Sequence, residues 1–277
     1  AVFLPLMALL VFFLGIGPIS RWKRTSLSYL IRQLAKVAIA SVVLGIVIPL
    51  IILLEFSLVA TVAITFAAWI TLSMIKDALN KIRNKPGLMQ GFRALSLSYY
   101  GMQLAHFGMA VMLIGVAMAS GFGSEKSVLL SPGQSIDLGD YLFTYNGSKS
   151  VTGPNYIAQE AEMSVMHGDK ALDNLYPQNR VYLATRTPST EMAIDAGFTR
   201  DLFVTLGEEK ENNALSMTIY VKPFIRWVWL GSIFMALGGL VAAGDKRYRR
   251  LRRRQTEKTA VAEKAINATE VGLQAGS

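Results

Sequence analysis

The sequence predicts an α-helical integral membrane protein with about five transmembrane helices and an antiparallel β-rich domain inserted before the last of them. Three observations carry that prediction. Five apolar runs approach the roughly 20 residues a membrane-crossing helix needs. When those runs alternate sides, the basic clusters between them all fall on one side. A polar stretch of about 100 residues, punctuated by Gly and Pro, separates the fourth run from the fifth.

The runs lie at about 1–17, 37–54, 56–76, 101–121 and 225–243. The first opens in mid-apolar sequence with no initiator Met and no cleavage site after it. It reads as a span of a truncated chain and not as a signal peptide. Arg21, Trp22, Lys23 and Arg24 follow it, with Arg32 and Lys36. Glu55, Phe56 and Ser57 join the second run to the third with almost no loop. Lys81, Arg83 and Lys85 precede Pro86-Gly87 in the next connection, and KRYRRLRRR begins at Lys246 after the last run. The positive-inside rule makes that basic side cytoplasmic. Residues 1–121 are therefore expected to hold helices 1–4, 122–224 a periplasmic β-rich domain, 225–243 helix 5 and 244–277 a cytoplasmic basic tail. Within the tail, Glu257–Ser277 is polar and Ala-rich and expected to fray.

Between 122 and 224, alternating runs at Tyr141–Tyr145, Glu160–Met166, Arg180–Ala184 and Ser216–Val221 read as strands. Turns are signalled at Ser131-Pro-Gly133, Asn146-Gly147, Gly153-Pro154 and His167-Gly168. Barrel and sandwich both satisfy this pattern.

Composition narrows the chemistry. The 277 residues are 52% hydrophobic, and the +9 net charge sits beside the apolar runs. That placement favours a membrane surface over nucleic acid as the basic partner. The absence of Cys removes disulfides, thiolate metal sites and thiol exchange by this chain. No P-loop, dinucleotide fingerprint or Ser/His/Asp set can be assembled. Of the two histidines, His167 opens a His-Gly-Asp-Lys turn and reads as a solvated turn residue.

His106 lies inside the uncharged run Gly101–Ser120, where an ionisable side chain is costly and marks a site by default. At 100° per residue its face also carries Tyr99, Met102, Met109, Ala110, Leu113 and Ala117. The other side carries Gly101, Ala105, Gly108, Met112, Gly115 and Ala119, mostly small residues that let a second helix approach closely. The imidazole is either a neutral group hydrogen-bonded to a carbonyl of a neighbouring helix, or a ligand such as haem iron takes, on a face suited to a flat apolar cofactor.

The pattern Gly101-x3-Ala105-His106-x-Gly108, followed by Gly115, resembles the helix bearing the second transmembrane histidine of the CcmF-type cytochrome c biogenesis proteins. So do Pro177-Gln-Asn-Arg180-Val-Tyr182, Thr190-Glu191-Met-Ala-Ile194, Asp201-Leu-Phe-Val-Thr-Leu-Gly207 and Pro223-x3-Trp227-Val-Trp229-x-Gly231 with Gly238-Gly239. The resemblance is to the carboxy-terminal portion of a roughly twofold longer protein. It implies a subunit or portion of a cytochrome c haem lyase in the bacterial cytoplasmic (inner) membrane. Such a protein would accept haem from the chaperone CcmE, work with CcmH and join haem to apocytochrome c. It further implies a haem b on His106, and the helical face read above would then put Met102, Met109 and Ala110 beside the porphyrin. The second axial ligand and the tryptophan-rich haem-handling segment would lie in the missing amino-terminal portion. Two alternatives stand beside this reading: a non-enzymatic membrane assembly or transport subunit with a structural histidine, and the paralogue dedicated to nitrite reductase.

Overall fold

Among the residues that a computed structural model describes (2–20, 25–52, 56–210 and 213–245), six α-helices and ten β-strands follow one another in two groups. The helices are α1 (Phe3–Ile16), α2 (Leu27–Ile52), α3 (Leu58–Ile82), α4 (Leu88–Arg93), α5 (Leu97–Gly121) and, after all the strands, α6 (Ile225–Ala243). Four of them, α2, α3, α5 and α6, are long and apolar enough to cross a membrane. The chain is thus a multi-pass membrane protein with a β-domain before its last helix. The described part of α1 has 14 residues. At about 1.5 Å per residue that reaches about 21 Å, short of a hydrocarbon core of about 30 Å. It is the shorter apolar helix that accompanies those four.

Helix boundaries follow local chemistry beyond the apolar runs. The start of α2 is ten residues before the expected 37, because Leu27–Lys36 holds good helix formers that continue the helix past membrane depth. Ser57 caps α3 by accepting from Ala60 N, and Ser96 caps α5 by accepting from Tyr99 N. The range of α6 is the expected 225–243. The short α4 in the basic connection was not foreseen. Arg21–Arg24, Glu55, the basic run from Lys246 and the segment Glu257–Ser277 lie outside the described residues.

Helix α3 is central to the bundle. Trp69 donates from Nε1 to the Phe12 carbonyl (3.0 Å) and stacks on the Phe12 ring, which holds α1. Lys76 Nζ donates to the Gln33 carbonyl of α2. Asp245, just beyond α6, accepts from Ser98 N (2.9 Å) and places a carboxylate on the first turn of α5. The last two of these bonds lie toward one end of the bundle. At the other, Gly121 approaches Ser57 and Ala60, and the chain enters the β-domain.

The strands form a sandwich, which settles the choice between barrel and sandwich. One sheet has the order β1 (Ser124–Leu130), β10 (Leu215–Pro223), β9 (Arg200–Glu209), β8 (Ala193–Ala196). The other has β2 (Ser135–Leu138), β3 (Tyr141–Thr152), β4 (Tyr156–His167), β6 (Gln178–Tyr182), β7 (Pro188–Glu191), with β5 (Lys170–Ala171) paired to β4. The neighbours are antiparallel. Alternate residues point inward: Phe143 and Tyr145, Met163 and Val165, Leu202 and Val204, Met217 and Ile219. Each such side chain is at most 1% exposed, and its burial is worth about 1.5–3 kcal/mol. The turn expected at Asn146-Gly147 is instead a bulge inside β3, where the register slips between Tyr145 and Gly147. Gly147 supplies the φ of +135° that the extra residue demands.

Candidate functional site

The site grows from α5, which is squeezed between two helices with different chemistry. On the small-residue side is α6. An added Cβ on Gly101 would lie 2.5 Å from both Gly238 O and Ala242 N; on Gly108, 2.6 Å from Gly231 O; on Gly115, 2.7 Å from Val228 N. Gly231 and Gly238 approach α5 in return. The two backbones therefore touch at heptad-spaced glycines, as small-residue stripes in membranes allow. The expected close partner of this stripe is α6.

On the other side, α3 covers part of the face that carries His106. Ala110 is 2% exposed and packs in a cluster with Ala67 and Ile70, while Met109 and Leu113 pack against that cluster. Ala117 is fully buried with Ala60 and Ile64. Helix packing therefore takes up Ala110 and Ala117, the carboxy-terminal half of the face. Ala110 is covered by its neighbours and not open to a porphyrin. His106 and Met102 remain half-buried.

His106 sits nine residues into α5, about 14 Å from its start and about 22 Å from its end. Its Nδ1 lies 2.8 Å from the carbonyl oxygen of Met102 on the preceding turn. A carbonyl oxygen only accepts, so Nδ1 carries the proton and Nε2 of the neutral ring has a bare lone pair. The bond is to its own helix, not to a neighbouring one. Geometry of this kind orients an imidazole and raises its basicity as a ligand.

Two turns before His106, a polar network that sequence reading missed joins α3 to α5. Asp77, 5% exposed, accepts from Lys81 Nζ (2.6 Å) and from Tyr99 OH (2.9 Å). Gln103 Nε2 bonds to Tyr99 OH, and Lys81 Nζ lies 4.5 Å from the Tyr99 ring centroid. The available signal was Asp77 itself, a carboxylate beside the end of an apolar run with a Lys four residues on.

The second histidine is elsewhere and otherwise engaged. His167 stacks on Tyr141 at 4.8 Å between ring centroids. The Tyr141 hydroxyl accepts from Arg200 Nε (3.1 Å), and Arg200 Nη1 donates to Asp195 (2.6 Å). Burial pulls the Arg200 pKa down, but its bonds to Tyr141 and Asp195 outweigh that and hold it above the usual value. Among the described residues, no group of three or more His, Cys, Asp or Glu side chains is arranged to hold a metal ion. As a haem-iron donor set, the spans offer one free imidazole nitrogen, enough for one axial position.

Residues 121–223 match the family described as the CcmF C-terminal beta-sandwich. Over 249 residues the chain is 41% identical to the cytochrome c-type biogenesis protein CcmF of Pseudomonas aeruginosa, covering 90% of this chain and 38% of that protein. Against CcmF of Escherichia coli it is 36% identical, covering 88% of this chain and 37% of that protein. The protein named NrfE of Haemophilus influenzae is 35% identical over 68% of this chain. The solved structure titled Cytochrome c Heme Lyase CcmF has the same fold, with a TM-score of 0.68 at 20% identity, over 86% of this chain and 38% of that one. The chain thus spans under two fifths of the length of these CcmF proteins.

Proposed function

Given that the chain belongs to the CcmF proteins of cytochrome c-type biogenesis and matches their carboxy-terminal portion, we propose that it serves as part of a membrane cytochrome c haem lyase, in haem delivery to apocytochrome c and its covalent attachment. The membrane is the bacterial inner membrane, with residues 122–224 in the periplasm and the carboxy terminus in the cytoplasm. His106 is one axial ligand of a b-type haem, with Met102 and Met109 alongside it. The observation that carries this reading is the bond from His106 Nδ1 to the Met102 carbonyl (2.8 Å), which leaves Nε2 as the donor.

Bound there, haem supplies a redox-active iron. The chain's own contribution is to hold the imidazole in one tautomer and one orientation, on a helix locked to α6 by backbone contact. Met102 and Met109 each lie about one turn from His106 on the same helix, hence on the same side of any iron it holds. With no second histidine in the spans, a second ligand to that iron would have to come from outside this chain, in the rest of the parent protein. The sandwich, with no acid/base or nucleophile set among its described residues, acts as a docking domain. Its partners are CcmE, CcmH and the apocytochrome.

The test is the absorbance spectrum of the purified full-length parent. It should show a dithionite-reducible, low-spin b-type band. His106→Ala should remove that band or leave the haem weakly held, and His106→Gly should regain it with added imidazole. Unchanged haem content in His106→Ala would return His106 to a purely structural role.

A further inference from the structure

Where α6 leaves the sandwich, an open groove of about 570 Å³ lies between α6 and β9. That is within the range of about 300–1,000 Å³ typical of small-molecule sites. A cleft of about 520 Å³ shares Phe203 and Ile225 with it and brings Lys222 to its edge. Three levels succeed one another down the groove. At the top, in the first turn of α6, Arg226 Nε donates to Asp201 at 3.0 and 3.2 Å. Asp201 is 5% exposed and also accepts from Gly197 N, so the guanidinium is anchored to the sandwich. That bond uses Nε and leaves the terminal amino groups of the fork as further donors. The Arg226 side chain is 51% exposed.

Around this cation stand Phe198 and Trp229, 68% and 73% exposed. Aromatic side chains at the end of a span collect at headgroup level, where one part of the ring is apolar and the other wet. Leu230 and Ile233 line the membrane end. Beyond them, the exposed Leu240 continues the apolar face of α6 away from α5, while Gly231 and Gly238 are pressed against α5.

We propose that this groove holds one phospholipid of the leaflet on the sandwich side, its phosphate on Arg226 and an acyl chain along Leu230 and Ile233. The order cation, aromatic ring, aliphatic slot is the order phosphate, glycerol, chain. A guanidinium fork pairs with phosphate in bidentate geometry, a feature a packed helix would have no use for. Such a lipid would fix the tilt of the sandwich on the membrane. The proposal is independent of whether His106 binds haem.

The test uses the full-length parent protein, delipidated in detergent, with palmitoyl-oleoyl-phosphatidylglycerol added back and counted by native mass spectrometry. One retained lipid per protein is expected. Arg226→Gln should weaken its retention at least roughly tenfold, the loss of a charge-assisted contact. Ile233→Trp fills the apolar slot without touching the Arg226–Asp201 pair, and it should weaken retention as well. Wild-type retention in either variant overturns the proposal. A benzoylphenylalanine placed at Ile233 should gain the mass of one lipid on irradiation. A cross-link to protein from the rest of the parent would instead identify a helix as the occupant and refute the lipid site.

Discussion

Replacing Gly108 by Ala adds one methyl group where the structure has no room for it. The new Cβ would lie 2.6 Å from Gly231 O, 2.8 Å from Met235 N and 2.9 Å from Phe234 Cβ. The nearest two are backbone atoms of α6, so no side chain can rotate away, and the helices must part. Overpacking of this kind costs about 1–3 kcal/mol. Gly239 on the same pair of helices has nothing among the described residues within 4 Å of an added Cβ. Ala there should gain up to about 1 kcal/mol from helix propensity alone. Gly108, also inside a helix, gains the same propensity, so the two single-methyl variants should differ by the overpacking cost alone, about 1–3 kcal/mol. Reversible unfolding in mixed micelles of rising dodecyl sulfate content, followed by far-UV circular dichroism, measures that difference. Equal stability of the two variants, or a less stable Gly239→Ala, would refute the claim that α5 and α6 meet backbone to backbone.

Other outcomes are expected elsewhere in the molecule. Tyr145 is fully buried and its hydroxyl has no partner among the described residues, so Tyr145→Phe should leave the sandwich as stable or about 1 kcal/mol more stable in urea unfolding. A clear loss of stability would mean the hydroxyl is satisfied by a buried water. An alkaline phosphatase fused after Val151 should be active, and one fused after Lys258 inactive; the reverse pattern would invert the topology. Residues 124–222 expressed alone should give β-type circular dichroism and bind no haem. Stoichiometric haem lost in His167→Ala would make His167 a ligand.

How much of this was legible in the sequence differs from element to element, for physical reasons. The span 225–243 and the stripe Gly101, Gly108, Gly115 could be read directly, because hydropathy and small-residue spacing are properties of one helix. What covers a face is a property of two helices, and it stayed hidden. Periodicity grouped Ala110 and Ala117 with His106, and only the position of α3 shows them buried. The same limit hid the Asp77–Tyr99 bond, whose partners lie 22 residues apart on different helices. A local rule also misled at Asn146-Gly147, where Asn-Gly is a hairpin signal and the long pairing of β3 with β4 turns it into a bulge. His106 was visible as an anomaly at membrane depth. That its Nδ1 bonds to its own helix, and so frees Nε2, depends on a rotamer that no sequence pattern encodes.

The glycine contact between α5 and α6 also has a history in time. The helices are separated by the whole sandwich, from Ser124 to Pro223. At roughly 5–20 residues per second of synthesis, the glycine face of α5 waits roughly 5–20 s in the membrane before α6 emerges to meet it. During that interval it is open to any other small-faced helix, including that of a second nascent chain. Folding of the sandwich brings β1 and β10 side by side, so it delivers the start of α6 to the end of α5. A mutation that slows the sandwich is therefore expected to be felt in the membrane, as mispaired helices, before any loss appears in the domain itself.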